Sequence, residues 1–582
     1  MASIAIPSTL LLGILLLVPQ VFGDFTAYQI GLFLIYGIAA QGIGFLWGKT
    51  GILPLGQTIF FGCAAYASAL ILINVDGLAL QLVLIFNAIL VIGVLALVLA
   101  SLVFRGRSES GPYFSLITLA LVMIVEQLAG TTPDLTGGFN GLSGFEPIAG
   151  LDPYGNLYYL IAAVAVGVTV LLQVLDRLPA GLIARAVADN EPRLQLLGFP
   201  THIIKGMAFA LSAMLAALAG VLFASHQGIV TPTSTGFALS AQLVIWTAVG
   251  GRFHVLGPLI GAVLIGWLTA ELRDDFKYWE VAIAILFIVV VLKAPGGLSE
   301  MFSPMIRKIP LLRRSDPINS PLPAPEAHID HKPGQLVFSD CFLQVGVVKI
   351  LNGVTFETPS KGILCVIGPN GAGKTSLLNV ITGNLATTSG KVELAGHRVD
   401  CRAPHTALAS GIGRKLQVPS VFFSMSVSEN LTIAVLAGRA TLWDYFSTKS
   451  MRWQTDYLQR LLTHPSVPLR NDLQKFVGEL PQGHRQFLEF AMTTAAEPRL
   501  LLLDEPCAGL SPDETGLMTN LVREYQAETH GLVIVIEHDM SIVESISEKV
   551  LVLHQGKVLA FDNYATVKAN KAVAAVYAGG TK

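Results

Sequence analysis

Long apolar runs fill the first half of this 582-residue chain, and no other feature restricts its fold as strongly. Runs of roughly 17–25 residues are long enough to cross a bilayer as helices. A mean hydropathy of +0.61 also favours a membrane protein. The charges are nearly balanced, 38 basic against 40 acidic side chains, which argues against a nucleic-acid partner. The predicted spans are 4–22, 27–46, 55–74, 78–104, 112–129, 157–175, 206–225, 237–249, 255–271 and 278–293, the eighth being short enough for a re-entrant or broken helix.

Charged side chains are scarce in the first half of the chain and crowd into the second. Because the length exceeds that of one ordinary domain, this shift predicts a membrane domain over 1–300 and a soluble domain over 336–582. Residues 301–335 are rich in proline, which keeps a linker extended and non-helical. The basic pairs Arg307-Lys308 and Arg313-Arg314 in this linker suit either an anionic membrane surface or plain solvation.

The charged loops of the membrane domain predict its orientation in the bilayer. Arg105 and Arg107 lie in one loop, and further basic residues lie in the loop 176–205. The intervening loop 130–156 carries acidic residues without lysine or arginine. By the positive-inside rule the two basic loops are cytoplasmic and the acidic loop is external. Counting the spans onward places the end of the membrane domain on the cytoplasmic side.

The loop 176–205 reads as a short amphipathic helix. It is either a rigid element that receives force from the soluble domain or a solvated connector. Glycine clusters at 48–51, 136–144 and 250–258 border the spans. Glycine permits close helix approach and broken helices, so solute contact and simple packing are both open explanations. Glu126 is expected to be solvated at an external helix end.

The stretch 368–376 fits the pattern G-x-x-x-x-G-K-[ST], whose backbone N–H groups surround phosphates. Residues 362–367 predict a buried strand before it, and 377–381 predict a helix after it, so that a helix N-terminus faces the anion. A glycine-rich turn without a ligand is the alternative. The predicted nucleotide-binding residues are Gly368, Pro369, Asn370, Gly371, Ala372, Gly373, Lys374, Thr375 and Ser376.

Three segments of the first half carry a family resemblance. They are Gly-Pro-Tyr-Phe-Ser-Leu-Ile-Thr-Leu-Ala at 111–120, Leu-Thr-Gly-Gly-Phe-Asn-Gly-Leu-Ser-Gly at 135–144, and the glycine-rich 250–261. They resemble the permease subunit of branched-chain amino acid ABC importers, a family that also includes urea and short-amide importers. The resemblance covers nearly the whole first half. It implies a polytopic α-helical membrane domain of about ten spans.

The second half alternates strands and helices, which predicts an α/β fold, and its motifs follow the order of ABC ATPases. After the phosphate loop come a glutamine loop, the signature position, an apolar strand that ends in two carboxylates, and a histidine after a further apolar strand. These motifs lie at 414–419, 480–486, 500–505 and 533–538. They resemble an ABC-type P-loop ATPase domain.

The resemblance implies ATP as the nucleotide and Mg²⁺ as its cation. The Mg²⁺ would be held by Thr375, Gln417 and Asp504. Glu505 would polarise the attacking water, with Gln417 and His538 as the other catalytic residues. In the dimers of this family each signature closes over the ATP of the other cassette. Leu480 and Gly483 would make that contact with a partner's ATP.

Two positions depart from the family pattern. Val345 stands where the family places an aromatic ring for stacking on adenine, and Phe342 is the only ring near it. The signature is ordinarily Leu-Ser-Gly-Gly-Gln, of which Leu480 and Gly483 remain. Pro481 replaces the serine and has no hydroxyl to offer the γ-phosphate. If the chain pairs with a different ATPase, its own ATP would therefore be capped by an intact signature, and the partner's ATP by an altered one.

The family resemblance implies an ATP-driven importer half in a bacterial-type inner membrane, with the ATPase domain in the cytoplasm. The transporter would need an external solute-binding protein, and a second permease and a second ATPase supplied by other chains or by a second copy of this one. Because no charge inside a span suggests a ligand, the expected solute is small and neutral or zwitterionic, and branched-chain amino acids come first. The segments 412–422 and 482–487 are closer to urea-type ATPase subunits, so urea or a short amide is the alternative. An ABC exporter half and a non-transporting membrane scaffold are the remaining alternatives.

Overall fold

The computed structural model describes residues 2–104, 111–294, 296–300, 320–326 and 334–578. The chain divides into two compact units. The first holds Met1–Ala188 and Thr201–Ser315, and the second holds Asp189–Pro200 and Asp316–Lys582. Twelve residues from the middle of the membrane half therefore belong to the second unit.

The membrane unit is built from helices, and each predicted span coincides with one of them. Among the residues that the structure describes, six helices are long and apolar enough to cross a membrane, namely α2 to α5, α7 and α9, which supports the predicted polytopic helical domain. The described helices are α1 (Ala2–Phe22), α2 (Asp24–Thr50), α3 (Gln57–Asn74), α4 (Leu78–Phe104), α5 (Gly111–Thr131), α6 (Pro133–Thr136), α7 (Asn156–Arg177), α8 (Pro179–Leu196), α9 (Thr201–Gln227), α10 (Phe237–Gly250), α11 (Gly257–Asp275) and α12 (Trp279–Lys293). The eighth predicted span is the 14-residue α10, which follows a 3₁₀ turn at Pro232–Thr235.

Close backbone packing explains several of the glycines in the clusters of the membrane unit. A Cβ atom on Gly250 would overlap the carbonyl oxygen of Gly257, and one on Gly261 would overlap that of Trp246, so α10 and α11 touch backbone to backbone. A Cβ on Gly141 would likewise overlap the carbonyl of Val230. There the short strands β1 (Leu142–Ser143) and β2 (Ile229–Val230) pair antiparallel. Small residues are what permits such approach between membrane helices.

Glu126, for which the sequence predicts solvation at an external helix end, also makes a specific hydrogen bond. Its side chain is partly buried, and Oε2 accepts a hydrogen bond from the backbone N–H of Phe237 at 3.3 Å. Phe237 is the first residue of α10, where backbone N–H groups lack partners within the helix. The carboxylate therefore satisfies a helix N-terminus, a favourable place for a negative charge.

The predicted helix within 176–205 is α8, and it is broken. Asn190 has φ −154° and ψ 82°, outside the helical region. Pro192, two residues later, has no N–H to donate to the carbonyl four residues before it, and its ring clashes with that carbonyl. The break coincides with the point where the chain passes into the second unit. The residues 189–200 are called the inserted segment below.

The ATPase unit contains a six-stranded sheet in the order β14-β13-β6-β12-β11-β9 and a four-stranded sheet in the order β5-β4-β7-β8. Neighbours among β9, β11, β12, β6 and β13 run parallel, and β14 is antiparallel. Strands β6, β11 and β12 are buried along their whole length, as a sheet covered on both faces requires. The strands are β3 (Leu322–Pro323), β4 (Leu336–Val345), β5 (Val348–Glu357), β6 (Gly362–Ile367), β7 (Ser389–Leu394), β8 (His397–Arg398), β9 (Ile412–Lys415), β10 (Trp453–Gln454), β11 (Leu500–Asp504), β12 (Leu532–Ile536), β13 (Lys549–His554) and β14 (Lys557–Asp562).

Helices join these strands in the alternating order that the sequence predicts. Part of the predicted linker also belongs to this unit, because β3 pairs in parallel with β10. The basic pairs at 307–308 and 313–314 lie outside the described residues. The helices are α13 (Lys374–Ile381), α14 (Val427–Leu436), α15 (Asp456–Thr463), α16 (Gln482–Thr494), α17 (Pro512–Thr529), α18 (Met540–Ile546), α19 (Tyr564–Ala569) and α20 (Lys571–Ala578).

Candidate nucleotide-binding site

The phosphate loop runs from the end of β6 to the start of α13, as predicted. Gly368 has φ +151°, and a Cβ there would overlap the carbonyl oxygen of Leu553, so only glycine fits. Gly373 precedes α13 in the left-handed region, with φ +99°. Asn370, Gly371 and Thr375 are exposed on the open side of the loop. The loop thus presents backbone N–H groups and a helix N-terminus to solvent, the arrangement that binds phosphate.

Lys374 is buried, and its ammonium group is held by the loop itself. Its Nζ donates to the carbonyl oxygens of Gly368 at 2.7 Å and Pro369 at 3.1 Å. Burial lowers the pKa of Lys374, while Glu505 and Asp504 act in the opposite direction. The positive charge is therefore kept beside the loop by two nearby carboxylates and two carbonyl dipoles.

Asp504 ends β11 and is the most enclosed acid of the site, at 1% exposure. The Thr375 side chain is hydrogen-bonded to it, and Oδ1 has no hydrogen-bond partner among the described residues. Burial raises the pKa of Asp504, although Arg414 opposes the shift. A carboxylate oxygen lacking a partner beside a threonine hydroxyl is a donor set that fits Mg²⁺, which prefers oxygen ligands.

Glu505 has φ +45°, a left-handed conformation uncommon outside glycine, and its N–H donates to Ile536 O at 3.0 Å. Such strain concentrates at functional sites. His538 lies two residues beyond β12, and its Nε2 is 3.0 Å from Glu505 Oε1. The structure therefore brings the predicted acid and the predicted histidine into contact across neighbouring strands.

The carboxyl ends of adjacent parallel strands meet at one edge of a sheet. That edge brings together the phosphate loop after β6, Asp504 and Glu505 after β11, and His538 after β12. Gln417 follows β9, the neighbour of β11, and its side chain is exposed. These placements come from strands far apart in sequence.

Arg414, in β9, is a site residue that the sequence reasoning missed. Its Nη1 donates to Asn379 Oδ1 at 2.7 Å and to Thr382 Oγ1 at 3.1 Å, and Nη2 lies 4.0 Å from Asp504 Oδ2. Burial lowers the pKa of Arg414 to about 10. Two adjacent basic residues inside a fully buried strand were the available signal, because such charges are buried only with partners.

The signature segment, unlike this sheet edge, lacks a polar side chain that the family pattern places there. Leu480 is buried, at 3% exposure, and Gly483 packs so closely on Glu514 that a Cβ would meet its carboxylate. Pro481 precedes α16 and is exposed, without a hydroxyl. The adenine-stacking position is open as well, since Val345 is 50% exposed where β4 ends. The signature segment thus offers no serine hydroxyl at 481, and the end of β4 offers no aromatic ring at 345.

Comparison with known proteins matches both halves of the chain. Residues 25–292 match the permease component of the branched-chain amino acid transport system, and residues 351–508 match the ABC transporter family. The ATP-binding protein BraF of Pseudomonas aeruginosa, named for high-affinity branched-chain amino acid transport, is 33% identical over 42% of this chain and 97% of its own. The corresponding LivG protein of Escherichia coli K12 is 31% identical over 41% of this chain and 94% of its own. Among solved structures, a nucleotide-free ATP-binding cassette from an ABC transporter is 26% identical, with a TM-score of 0.36, over 42% of this chain and 98% of its own.

The chain therefore belongs to the ABC transporter family, in which it joins a permease to an ATP-binding domain. It is an importer component of the branched-chain amino acid type. Its ATPase domain binds ATP and couples hydrolysis to transport. Proteins of this type work with further transporter subunits and a solute-binding protein. The exporter and scaffold alternatives receive no support from these matches.

Proposed function

We propose that the chain is the fused permease–ATPase subunit of an importer for a small neutral or zwitterionic solute, with branched-chain amino acids first. The observation that carries this proposal is the permease match over 25–292 together with the meeting of the phosphate loop, Lys374 and the Glu505–His538 pair at one sheet edge. The identity of the relatives that cover the ATPase half supports the same solute class. The proposal includes a bacterial-type inner membrane as the location, with the ATPase domain in the cytoplasm.

Each residue at this sheet edge has a different role in ATP hydrolysis. Lys374, already held by the loop carbonyls, reaches the β- and γ-phosphates, and the N–H groups of the loop bind the same oxygens. Thr375, Asp504 and Gln417 would hold Mg²⁺, which neutralises charge on the phosphate oxygens when bound. Glu505 polarises the attacking water, and His538, 3.0 Å from it, contacts the γ-phosphate.

The assembly takes a second permease, a second ATPase and an external solute-binding protein. Leu480 and Gly483 would face the ATP of the second cassette, with Pro481 between them. Because proline cannot replace the serine hydroxyl, the partner's ATP is capped with one hydrogen bond fewer. If the second ATPase is a different chain, we expect this chain to supply the more active of the two ATP sites. Comparing Glu505→Gln with the matching change in the partner tests the asymmetry, and equal losses of ATPase activity would contradict it.

Urea or a short amide is the second candidate solute. The segments 412–422 and 482–487 favour it, since they resemble urea-type ATPase subunits. The ATPase half alone is a weak guide to the solute. A putative ribose/galactose/methyl galactoside import ATP-binding protein of Agrobacterium fabrum is 30% identical over 36% of this chain and 41% of its own.

Uptake of labelled leucine and labelled urea in cells lacking the chain tests the proposal. Each assay is repeated with the wild type and with Glu505→Gln restored. Rescue of leucine uptake by the wild type alone supports the amino-acid importer, and rescue of urea uptake alone supports the second candidate. If neither is rescued while ATPase activity persists, both solute assignments fail.

A further inference from the structure

The inserted segment is attached to the ATPase unit by polar contacts along its first residues. Asp189 Oδ2 accepts hydrogen bonds from the backbone N–H and the hydroxyl of Ser424, at 2.8 and 2.9 Å. Asn190 Nδ2 donates to Ser420 Oγ at 3.0 Å and to Val421 O at 3.3 Å. The Asp189 contact is exposed to solvent, so it contributes little free energy.

Arg193 of the same segment is quite different, because it has no solvent exposure at all. Its Nη1 donates to the carbonyl oxygen of Arg414 at 2.8 Å. Its Nη2 donates to Thr493 Oγ1 at 2.9 Å and to the carbonyl oxygen of Glu489 at 3.4 Å. The sequence pattern places this arginine among the charges of the predicted cytoplasmic loop 176–205. It gives no reason to expect Arg193 to be buried in the ATPase unit.

Two buried acids near Arg193, Glu489 and Asp504, have other cations beside them. Glu489, itself fully buried, has Lys415 Nζ 3.5 Å from its Oε2, and Asp504 has Arg414 at 4.0 Å. Each acid thus has a cation within the unit. Arg193 Nη1 comes only to 3.7 Å of Glu489 Oε1, while its hydrogen bonds go to neutral oxygens. Burying a further cation is costly, so its placement calls for a role beyond charge balance.

The acceptors of Arg193 lie on the two elements that lead to the ATP site. Arg414 is in β9, immediately before the Gln417 loop, and its own guanidinium lies beside Asp504 and the end of α13. Glu489 is in α16, the helix that begins at the signature segment, and its Oε1 accepts the N–H of Leu416 at 2.9 Å. Arg193 therefore ties β9 to α16 through hydrogen bonds to a carbonyl oxygen of each element.

We propose that Arg193 is a positioning residue for ATP hydrolysis. By holding the carbonyl of Arg414 and the carbonyl of Glu489 together, it fixes the end of β9, and with it Gln417 and the Arg414 guanidinium beside Asp504. Lys374 and the phosphate loop lie outside this set of contacts. Loss of Arg193 therefore lowers turnover while leaving ATP affinity in place. If Arg193 only attached the inserted segment, loss of Arg193 and loss of Asp189 would lower turnover to a similar degree.

The test uses the full-length chain, purified with its co-expressed subunits in lipid nanodiscs, and measures kcat and KM for ATP. Arg193→Gln is expected to lower kcat by about 10-fold, within the range of coupling mutations, with KM changed less than about 2-fold. Arg193→Lys retains a cation but loses the planar fork, so a partial recovery of kcat is expected. The control Asp189→Ala removes the exposed contact of the same segment and is expected to keep kcat within about 2-fold.

Equal losses of kcat in Arg193→Gln and Asp189→Ala would overturn the proposal, as would a wild-type kcat in Arg193→Gln. If Arg193→Gln does not yield folded protein, Thr493→Val removes one acceptor of Arg193 from within the ATPase unit, and the same kcat loss at constant KM is expected. Wild-type KM and kcat in that variant would also overturn it. The inference rests on ATP hydrolysis and not on the solute. A wild type no faster than Glu505→Gln would contradict the ATPase function instead.

Discussion

Two regions of the ATPase unit match the motif residues of ABC ATPases to different degrees. They are the sheet edge that carries the predicted catalytic residues, called the catalytic edge, and the signature segment. At the edge, Lys374, Asp504, Glu505 and His538 are all present, and their side chains converge. In the signature segment the buried Leu480 persists, while the position beside it has lost its hydroxyl to Pro481. In the proposed dimer, the first region acts on the chain's own ATP and the second contacts the ATP of a neighbouring cassette.

This contrast separates two roles that a motif residue can have, packing within the cassette and contact with ATP. Leu480 and Gly483 have packing roles that a folded cassette needs whether or not the signature works. Pro481 stands at the N-cap of α16 without a side-chain hydrogen bond, so the helix forms here without a serine hydroxyl. An altered signature on an otherwise complete ATPase is what an asymmetric pair of cassettes would allow.

Glu505→Gln should give the largest effect on the catalytic edge. The amide cannot accept a proton from the attacking water, so ATPase activity and solute uptake are expected to fall about 10²- to 10⁴-fold. Phosphate release and labelled-solute uptake would be measured in parallel. The exposed Glu544→Gln on α18 is the matched control and should behave as wild type. A loss below 10-fold would remove Glu505 from the proposed role.

Leu480→Ala should show that the retained part of the signature is structural. Truncating this buried side chain is expected to cost about 2–5 kcal/mol of unfolding free energy, because it leaves a cavity in the core. Thermal unfolding of the detergent-purified chain would measure the loss. Leu442→Ala, at a position 74% exposed, is the control and should leave the midpoint unchanged. If the two variants unfold alike, packing does not explain why Leu480 is retained.

Pro481→Ser tests whether the absent hydroxyl limits turnover at the partner's ATP site, because it puts a serine at this position. A hydrogen bond to the charged γ-phosphate contributes about 1.5–3 kcal/mol, so ATP turnover at the partner's site is expected to rise by roughly 10-fold or more. The measurement is made in the Glu505→Gln background, where this chain's own site is silent. Pro481→Ala tests whether loss of proline alone has the same effect. An equal rise in both variants would count against the hydroxyl.

Val345→Tyr should give the smallest effect, on nucleotide affinity. A ring stacked on adenine contributes about 0.5–1.5 kcal/mol, which corresponds to a KM for ATP lowered by roughly 2- to 10-fold. Steady-state ATPase assays at varied ATP concentration would detect it. Val347→Tyr, at the hairpin tip where the side chain is 94% exposed, is the control. A KM unchanged by Val345→Tyr would mean that adenine does not lie over this position.

The sequence predicted most of the helices and the phosphate loop for clear physical reasons. A span must satisfy every backbone polar group within itself and present an apolar surface, so hydropathy alone marks it. The loop 368–376 is equally local, because its glycines and Lys374 act within one turn and one helix start. The predicted ends of the spans agree with the helices to within a few residues for most of them.

Glu126, Arg414 and Arg193 could not be understood in this way. Each lies in a stretch whose local pattern suggests an ordinary solvated or strand residue. Their partners are far away in sequence: Phe237 for Glu126, Asp504 for Arg414, and Thr493 for Arg193. The break at Asn190 follows from Pro192, yet its consequence, the transfer of 189–200 to the second unit, is not a local property.

The membrane spans, the nucleotide loop and the order of the catalytic motifs can be predicted from the sequence, since they depend on residues adjacent along the chain. Which charges are buried, and which groups they contact, follows only from the folded structure. The energy of a buried charge depends on the oxygens and cations that folding places around it, and those come from distant segments. Arg193 is the plainest case, because its chemistry is defined entirely by the carbonyl of Arg414 and the hydroxyl of Thr493.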